Sequence, residues 1–348
     1  MQTAAESQAK ATGVPAIGSF IDTDRFSATL RSKVIDDEGR LLISSLEGSE
    51  QSMDLSEPVN CEGLGRVRHF RLLTTEKWPK NPLPIVPAAR ALQLPISDAM
   101  IAEVFQLAAC NWRCWYCYVP FDRLAANPKT SRWFRPDELV DLYRGLSGRP
   151  PVLVLSGGQP DLAPEWIPGT MRALRDQGLH ETTYLWSDDN LSNDYLWRYL
   201  SPDSLAVMRS YANYGRVGCF KGFDPHSFTF NTHADGSLFN RQFEIFGRLL
   251  DVGLDLYAYA TFTSDCSDGI DESMSTFVDR LQRLSRTLPL RVVPLEVRSF
   301  TPLKSRVTSD AWRKADDIQW QAVVAWNREI ATRFPAEDRR TSIVDIQL

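Results

Sequence analysis

The chain has 348 residues, 43% of them hydrophobic and 24% charged, with a net charge of −5, enough for one large domain and a smaller appendage. No long basic run offers a footprint for a phosphate backbone, so nucleic acid is not favoured as a partner, and no apolar run approaches the ~20 residues that span a bilayer. The opening MQTAAESQAKATGVPAIGS lacks the basic and apolar regions of a secretory signal, so residues 1–18 read as a flexible tail and a cytoplasmic location is the expectation.

Residues 19–77 read as a β-rich region. RSKVIDDEGRLLISSL, residues 31–46, resembles a hairpin with Asp-Glu-Gly in its turn. Five prolines in WPKNPLPIVPAARALQLP, residues 78–95, mark a linker or a strap without regular structure. From residue 96 to 334 apolar runs alternate with helical periodicity. The runs at 100–108, 151–156, 182–187, 215–222, 255–262 and 290–297 predict strands, and each is followed by a predicted helix. Pro136 falls at the first turn of one of these helices. Residues 335–348 form a short tail. Six strand-helix units predict an α/β fold with a parallel sheet and right-handed crossovers, either open and doubly wound or an incomplete (β/α) barrel. Either form gathers chemistry at the C-terminal ends of its strands.

Three of the six cysteines, Cys110, Cys114 and Cys117, stand in AACNWRCWYCYVP just past the first parallel strand; Cys61, Cys219 and Cys266 are scattered. A chain this long with so few cysteines is not a disulfide scaffold, and the cluster suits a thiolate-bound metal in a reducing compartment. Structural zinc takes four closed ligands, and only distant residues such as Cys61 or His69 could complete such a site. A 4Fe-4S cluster on three thiolates instead leaves one iron open to a small molecule.

CNWRCWYC resembles the C-x3-C-x-aromatic-C signature of the radical S-adenosylmethionine (SAM) superfamily, with Tyr116 at the aromatic position. Ser156-Gly157-Gly158-Gln159-Pro160, directly after the second strand of the repeat, is similar to the family's GGEP motif, with Gln159 where glutamate is common. The resemblance covers about residues 100–300. It implies a partial (β/α)6 TIM-like barrel with a small β-rich N-terminal region, a 4Fe-4S cluster on Cys110, Cys114 and Cys117, and SAM bound at its open iron. The implied reaction is reductive cleavage of SAM to methionine and a 5′-deoxyadenosyl radical, which takes a hydrogen atom from the substrate.

The resemblance also implies roles at other strand ends. The GGQP stretch would contact the methionine end of SAM, Tyr116 would lie near the adenine, and Asp188, Asp189 and Asn190 would face the ribose hydroxyls. N-capping of the next helix is an equally weighted reading for that last stretch. Lys221, Arg298 or Lys304 could pair with the SAM carboxylate. Some family epimerases return a hydrogen atom from a cysteine thiol, and Cys266, in the polar loop TSDCSDG, is the candidate donor; Cys219 reads as a small buried hydrophobe. The expected substrate is a small molecule or a peptide, with a one-electron reductant such as flavodoxin or ferredoxin. The acidic balance and the missing extra clusters favour a redox-neutral or epimerase-like enzyme of oxidoreductase or isomerase type. The alternatives are a glycyl-radical-activating enzyme and, in another class, a non-catalytic zinc-binding structural protein.

Overall fold

The strands of the repeat line up in the order in which the chain makes them. In a computed structural model, residues 19–348 are described; the tail expected over 1–18 lies outside them. The strands are β1 (Leu41–Ser44), β2 (Gly65–Arg71), β3 (Ala99–Gln106), β4 (Ser131–Phe134), β5 (Val152–Ser156), β6 (Tyr184–Asp189), β7 (Tyr214–Phe220), β8 (Leu256–Thr261) and β9 (Val292–Leu295). One seven-stranded sheet runs β2-β3-β5-β6-β7-β8-β9. From β3 onward its pairs are parallel, and β2 is antiparallel to β3. Neighbours in the sheet that are consecutive in the chain settle the choice left open by the sequence. The sheet winds one way only, as a partial barrel, with β2 and β9 as unpaired edges.

The two faces of the sheet have different partners. Phe105, Leu155, Leu185, Phe220 and Ala258 look outward and share one core with the helices that follow the strands. Phe220 stacks near Phe243 and Phe246 of the helix Phe239–Val252, with ring centroids 5.0 and 5.4 Å apart. Each such phenylalanine removed from water contributes about 2–3 kcal/mol. Ala102, Val104, Val154, Trp186, Val217, Cys219 and Tyr259 look inward and form a second core. Period-two alternation along strands covered on both faces produces this split.

Two N-terminal expectations change. The first arm of the expected hairpin is the end of a helix, Thr23–Val34, capped by Asp22, whose side chain accepts from the backbone N–H of Arg25 at 3.1 Å. Its buried face is Thr23, Ser27, Leu30 and Val34. Two of these four are hydroxyl residues, so the helical stripe is faint in a hydropathy reading. The turn itself does form. Asp36 Oδ1 accepts from the backbone N–H groups of Glu38 and Arg40 at 3.1 and 2.9 Å, and Ile35 bridges to Leu41. It joins a helix to β1, however, and β1 pairs with the distant β4.

The proline-rich strap also holds a helix, Ile85–Ala91, in place of irregular chain throughout. Ile85, Val86, Ala88 and Ala89 are buried in the inward-facing core, so this helix plugs the barrel. Trp78, upstream of it, donates its indole N–H to the carbonyl of Pro294 in β9 at 3.1 Å, and Thr75 donates to Glu296 at 2.6 Å. The strap thus ties the chain leaving β2 to β9 across the gap between the two edges.

Glu103 on β3 is fully buried. Asn60 donates to its Oε2 at 2.9 Å while Oε1 has no partner among the described residues. Burial, only partly offset by Asn60 and Arg66, pushes its carboxyl up to about 7. An acid whose pKa is raised on folding stabilises the fold at low pH and loses that contribution as pH rises toward the folded value. Glu103→Gln keeps the acceptor for Asn60 and removes the proton. Relative to the parent, the variant should gain roughly 2–3 kcal/mol between pH 4.5 and 8 in urea unfolding. A difference that stays constant with pH would contradict this assignment.

Candidate functional site

The segment after β3 carries the three cysteines, and the residues between them hold the loop in shape. Ala109 bridges to Ala125, and Ala126 N–H donates to the carbonyl of Ala108 at 2.7 Å, closing its base. Asn111 donates through Nδ2 to Ser27 and Ser192 at 2.8 and 2.7 Å. Trp112 donates its indole N–H to Thr23 at 3.1 Å, and Trp115 donates to Asn231 Oδ1 at 3.1 Å. Arg113 is fully buried, and its guanidinium donates to the carbonyls of Cys110, Trp112 and Leu124. From the other side Arg306 donates to the carbonyls of Cys117 and Val119.

The three cysteines are left free and half-buried on this frame. Burial pushes the Cys114 thiol up to about 12 and the Cys110 thiol upward, with Lys221 acting in the opposite sense on both. A metal would therefore displace protons on loading. Among the described residues, no three His, Cys, Asp or Glu side chains converge on a point that suits a single ion. A cube of irons, by contrast, spreads its thiolates over separate corners. The residues considered as a fourth zinc ligand sit in other surroundings. Cys61 is buried close to Glu103, and His69 meets Glu57 at 2.8 Å. Three thiols on one short loop are the donor chemistry of a cluster held at three corners.

Ser156 ends β5, and Gly157 and Gly158 follow it beside this loop. Gly158 has φ 146°, and a Cβ there would stand 2.5 Å from the carbonyl oxygens of both Leu107 and Ala109. Gln159 N–H donates to the Ala109 carbonyl at 2.8 Å. The close approach that needs glycine is thus made to the backbone leading into Cys110, which locks the two motifs together.

Register divides the remaining candidates. β6 runs to Asp189, two residues beyond the predicted strand end, so Asp188 and Asp189 point to opposite faces. Asp188 faces the barrel interior and accepts from the Ser156 hydroxyl. Asp189 turns outward to the fully buried Arg216 at 2.8 Å, and Asp161 joins the same guanidinium. Gln159 donates to Asp189 Oδ1 at 2.8 Å and accepts from Asn190 N–H at 2.9 Å. Pro160 opens the short turn that carries Asp161 to Arg216. Gln159, Asp161 and Asp189 thus join in a brace around Arg216, with Pro160 between them in sequence. The N-capping reading of this stretch is not seen, because the helix Tyr195–Tyr199 has Asp194 at its cap.

Asn190 stays with the loop, its Nδ2 donating to Asn111 Oδ1 at 2.9 Å and lying 3.7 Å from Cys110 Sγ. Tyr116 reaches Thr261 at the tip of β8, 3.1 Å away, and the Lys221 ammonium stands 5.9 Å from its ring. Cys266 is half-buried in the loop after β8, next in sequence to Asp265, which pairs with His226 at 2.7 Å. Cys219, read as a core residue, lies on the inward face of β7. Sequence reasoning missed Arg66 and Arg68, which share the inward face of β2 with Phe70. The signal was present as a period-two alternation in GRVRHFR, residues 65–71.

If the loop depends on the approach of Gly158, a side chain there cannot be absorbed, since both obstacles are backbone. Gly158→Ala should cost roughly 2–3 kcal/mol in urea unfolding. Gly148→Ala, at φ 65° but with nothing within 4 Å, should cost about 1 kcal/mol or less. Equal losses at the two sites would contradict the docking.

No protein-family model matches the chain, and no curated protein sequence does. Solved structures show partial likenesses. SuiB from Streptococcus suis bound to S-adenosylmethionine is 14% identical over 64% of this chain and 46% of its own, with a TM-score of 0.40. The likeness to anSMEcpe with bound AdoMet is 12% over 65% and 57%, with a TM-score of 0.40. The likeness to the radical S-adenosylmethionine methyltransferase TsrM from Kitasatospora setae is 14% over 66% and 41%, with a TM-score of 0.39. The chain thus spans about half the length of the structures it matches.

Proposed function

We propose that this chain is a radical SAM enzyme. The observation that carries the reading is a braced loop at the C-terminal edge of a parallel sheet, presenting three free, half-buried thiols. Cys110, Cys114 and Cys117 would hold a 4Fe-4S cluster with one iron left for SAM. The chemistry such a cluster supplies is one-electron reduction of the SAM sulfonium, giving methionine and a 5′-deoxyadenosyl radical for hydrogen-atom abstraction.

The chain's own residues bind, orient and shield. Arg113 and Arg306 fix the loop through its carbonyls, so its backbone is ordered before loading. Lys221 sets a positive charge beside thiolates that would otherwise repel one another. Asp188, oriented by Ser156 on the inward face, is placed to accept from ribose hydroxyls. Asn190, just past β6, bonds to the loop, and Tyr116 within the loop reaches Thr261 of β8. The inward-facing core below excludes water from the space where a small-molecule or peptide substrate would sit. We assign Cys266, in the loop after β8, as the hydrogen-atom donor of a redox-neutral reaction, and an external one-electron carrier of the flavodoxin or ferredoxin kind as the reductant.

Anaerobic reconstitution with iron and sulfide tests this reading. It should give about four irons per chain and iron-thiolate absorption, both lost in Cys114→Ala. Dithionite and SAM should then yield 5′-deoxyadenosine. A colourless protein carrying one tightly bound zinc would overturn the proposal.

A further inference from the structure

The gap between the two edge strands is a cavity of about 480 Å³, a size that suits a small ligand. Its walls come from the segment 51–56, β2, the strap after β2, the end of β9 with the residues that follow, and Tyr118, the residue next to Cys117. Four arginines line it: Arg66, Arg68 and Arg71 from β2, and Arg298 beyond β9. Its carboxylates are Asp54 and Glu296. Asp54 accepts from the backbone and hydroxyl of Thr301 at 2.7 and 2.8 Å, and Glu296 accepts from the hydroxyls of Thr74 and Thr75. The cavity's histidine, His69, meets Glu57. Among the described residues, none of the four arginines forms an ion pair with any of them.

An exposed arginine needs no partner beyond water, but two of these are not fully exposed. Arg66 is only 5% exposed. One of its terminal nitrogens donates to the Tyr118 hydroxyl at 2.7 Å, and its Nε has no partner. The nearby buried carboxylate, Glu103, lies on the other face of the sheet and is bound by Asn60. Arg68 is half-buried on the inward face, its guanidinium 4.3 Å from the Phe70 ring centroid. Holding a guanidinium in a cavity without an anion costs free energy that a ligand oxyanion would return. Planar guanidinium forks match carboxylate and phosphate groups two bonds at a time.

We propose that this cavity binds a small anionic molecule carrying at least two carboxylate or phosphate groups, and that this molecule is the substrate. The word substrate rests on the cluster reading; the anion site does not. Tyr118 places one wall a single residue from Cys117, and Arg68 sits near Cys219 and Tyr259 inside the barrel. A ligand anchored on the arginines would therefore extend toward the cluster loop.

The test is calorimetric titration of the full-length chain, without added iron, with inorganic pyrophosphate and, separately, with citrate at physiological salt. One of the two should bind saturably at one site per chain, and the preferred anion separates a phosphate-bearing from a carboxylate-bearing ligand. Arg68→Gln should weaken that binding about tenfold. If that variant does not fold, the exposed Arg298→Gln should weaken it in the same direction. Saturable binding of neither anion, or affinity unchanged by either substitution, would overturn the proposal. Iron and sulfide content, assayed on the same preparations, reports on the cluster reading alone, so the two failures are distinguishable.

Discussion

The site depends on a fully buried guanidinium. Arg113 sits inside the cysteine loop and collects its carbonyls, as a metal would organise the loop from outside. Three thiols on a loop of high entropy would have to be ordered at the moment of loading, against a cost of about 1–2 kcal/mol for each residue fixed. Here that ordering is built into folding. The Gly158 backbone, pressed on the carbonyls of Leu107 and Ala109, carries the same rigidity into the neighbouring strand end. Behind it, Arg216 binds Asp161 and Asp189 out of solvent. Such a triad contributes little net stability compared with an apolar filling, yet it fixes the position of what it joins. Two buried arginines therefore set the shape of the loops on the candidate face.

An incomplete barrel has a structural liability, since two edge strands are left with unpaired backbone. The strap manages it. Trp78 and Thr75 fasten the chain leaving β2 to the end of β9, and the helix Ile85–Ala91 fills the barrel below. The gap that remains is a cavity and not an exposed edge. Three of its four arginines come from β2, the one antiparallel strand of the sheet. The N-terminal segment thus supplies one edge of the sheet and one wall of this cavity.

Much of this was legible in the sequence, for physical reasons that differ from element to element. The parallel sheet was readable because strands covered on both faces are continuous apolar runs. The cysteine loop was readable because its three thiols lie within eight residues. The helix Thr23–Val34 was hidden because half of its buried face is Thr23 and Ser27, which satisfy their hydroxyls within the fold. Asp188 and Asp189 could not be told apart because they are the same residue type at adjacent positions, and only the last turn of the strand decides which faces inward. Gln159 was legible as part of a motif defined along the chain, whereas the bonds of its side chain to Asp189 and Asn190 come from the neighbouring strand β6. Arg66 and Arg68 were visible as an alternation, but their meaning depends on β9, more than two hundred residues away in sequence.

The central claim is that the loop presents three thiolates to a cluster and leaves one iron to a small molecule. Mössbauer spectroscopy of protein reconstituted with isotopically enriched iron, with and without SAM, examines that corner directly. If the account is right, one iron of the cluster changes its coordination when SAM is added while the others keep theirs. A spectrum with no cluster, or with every iron indifferent to SAM because a side chain already holds the last position, would contradict it.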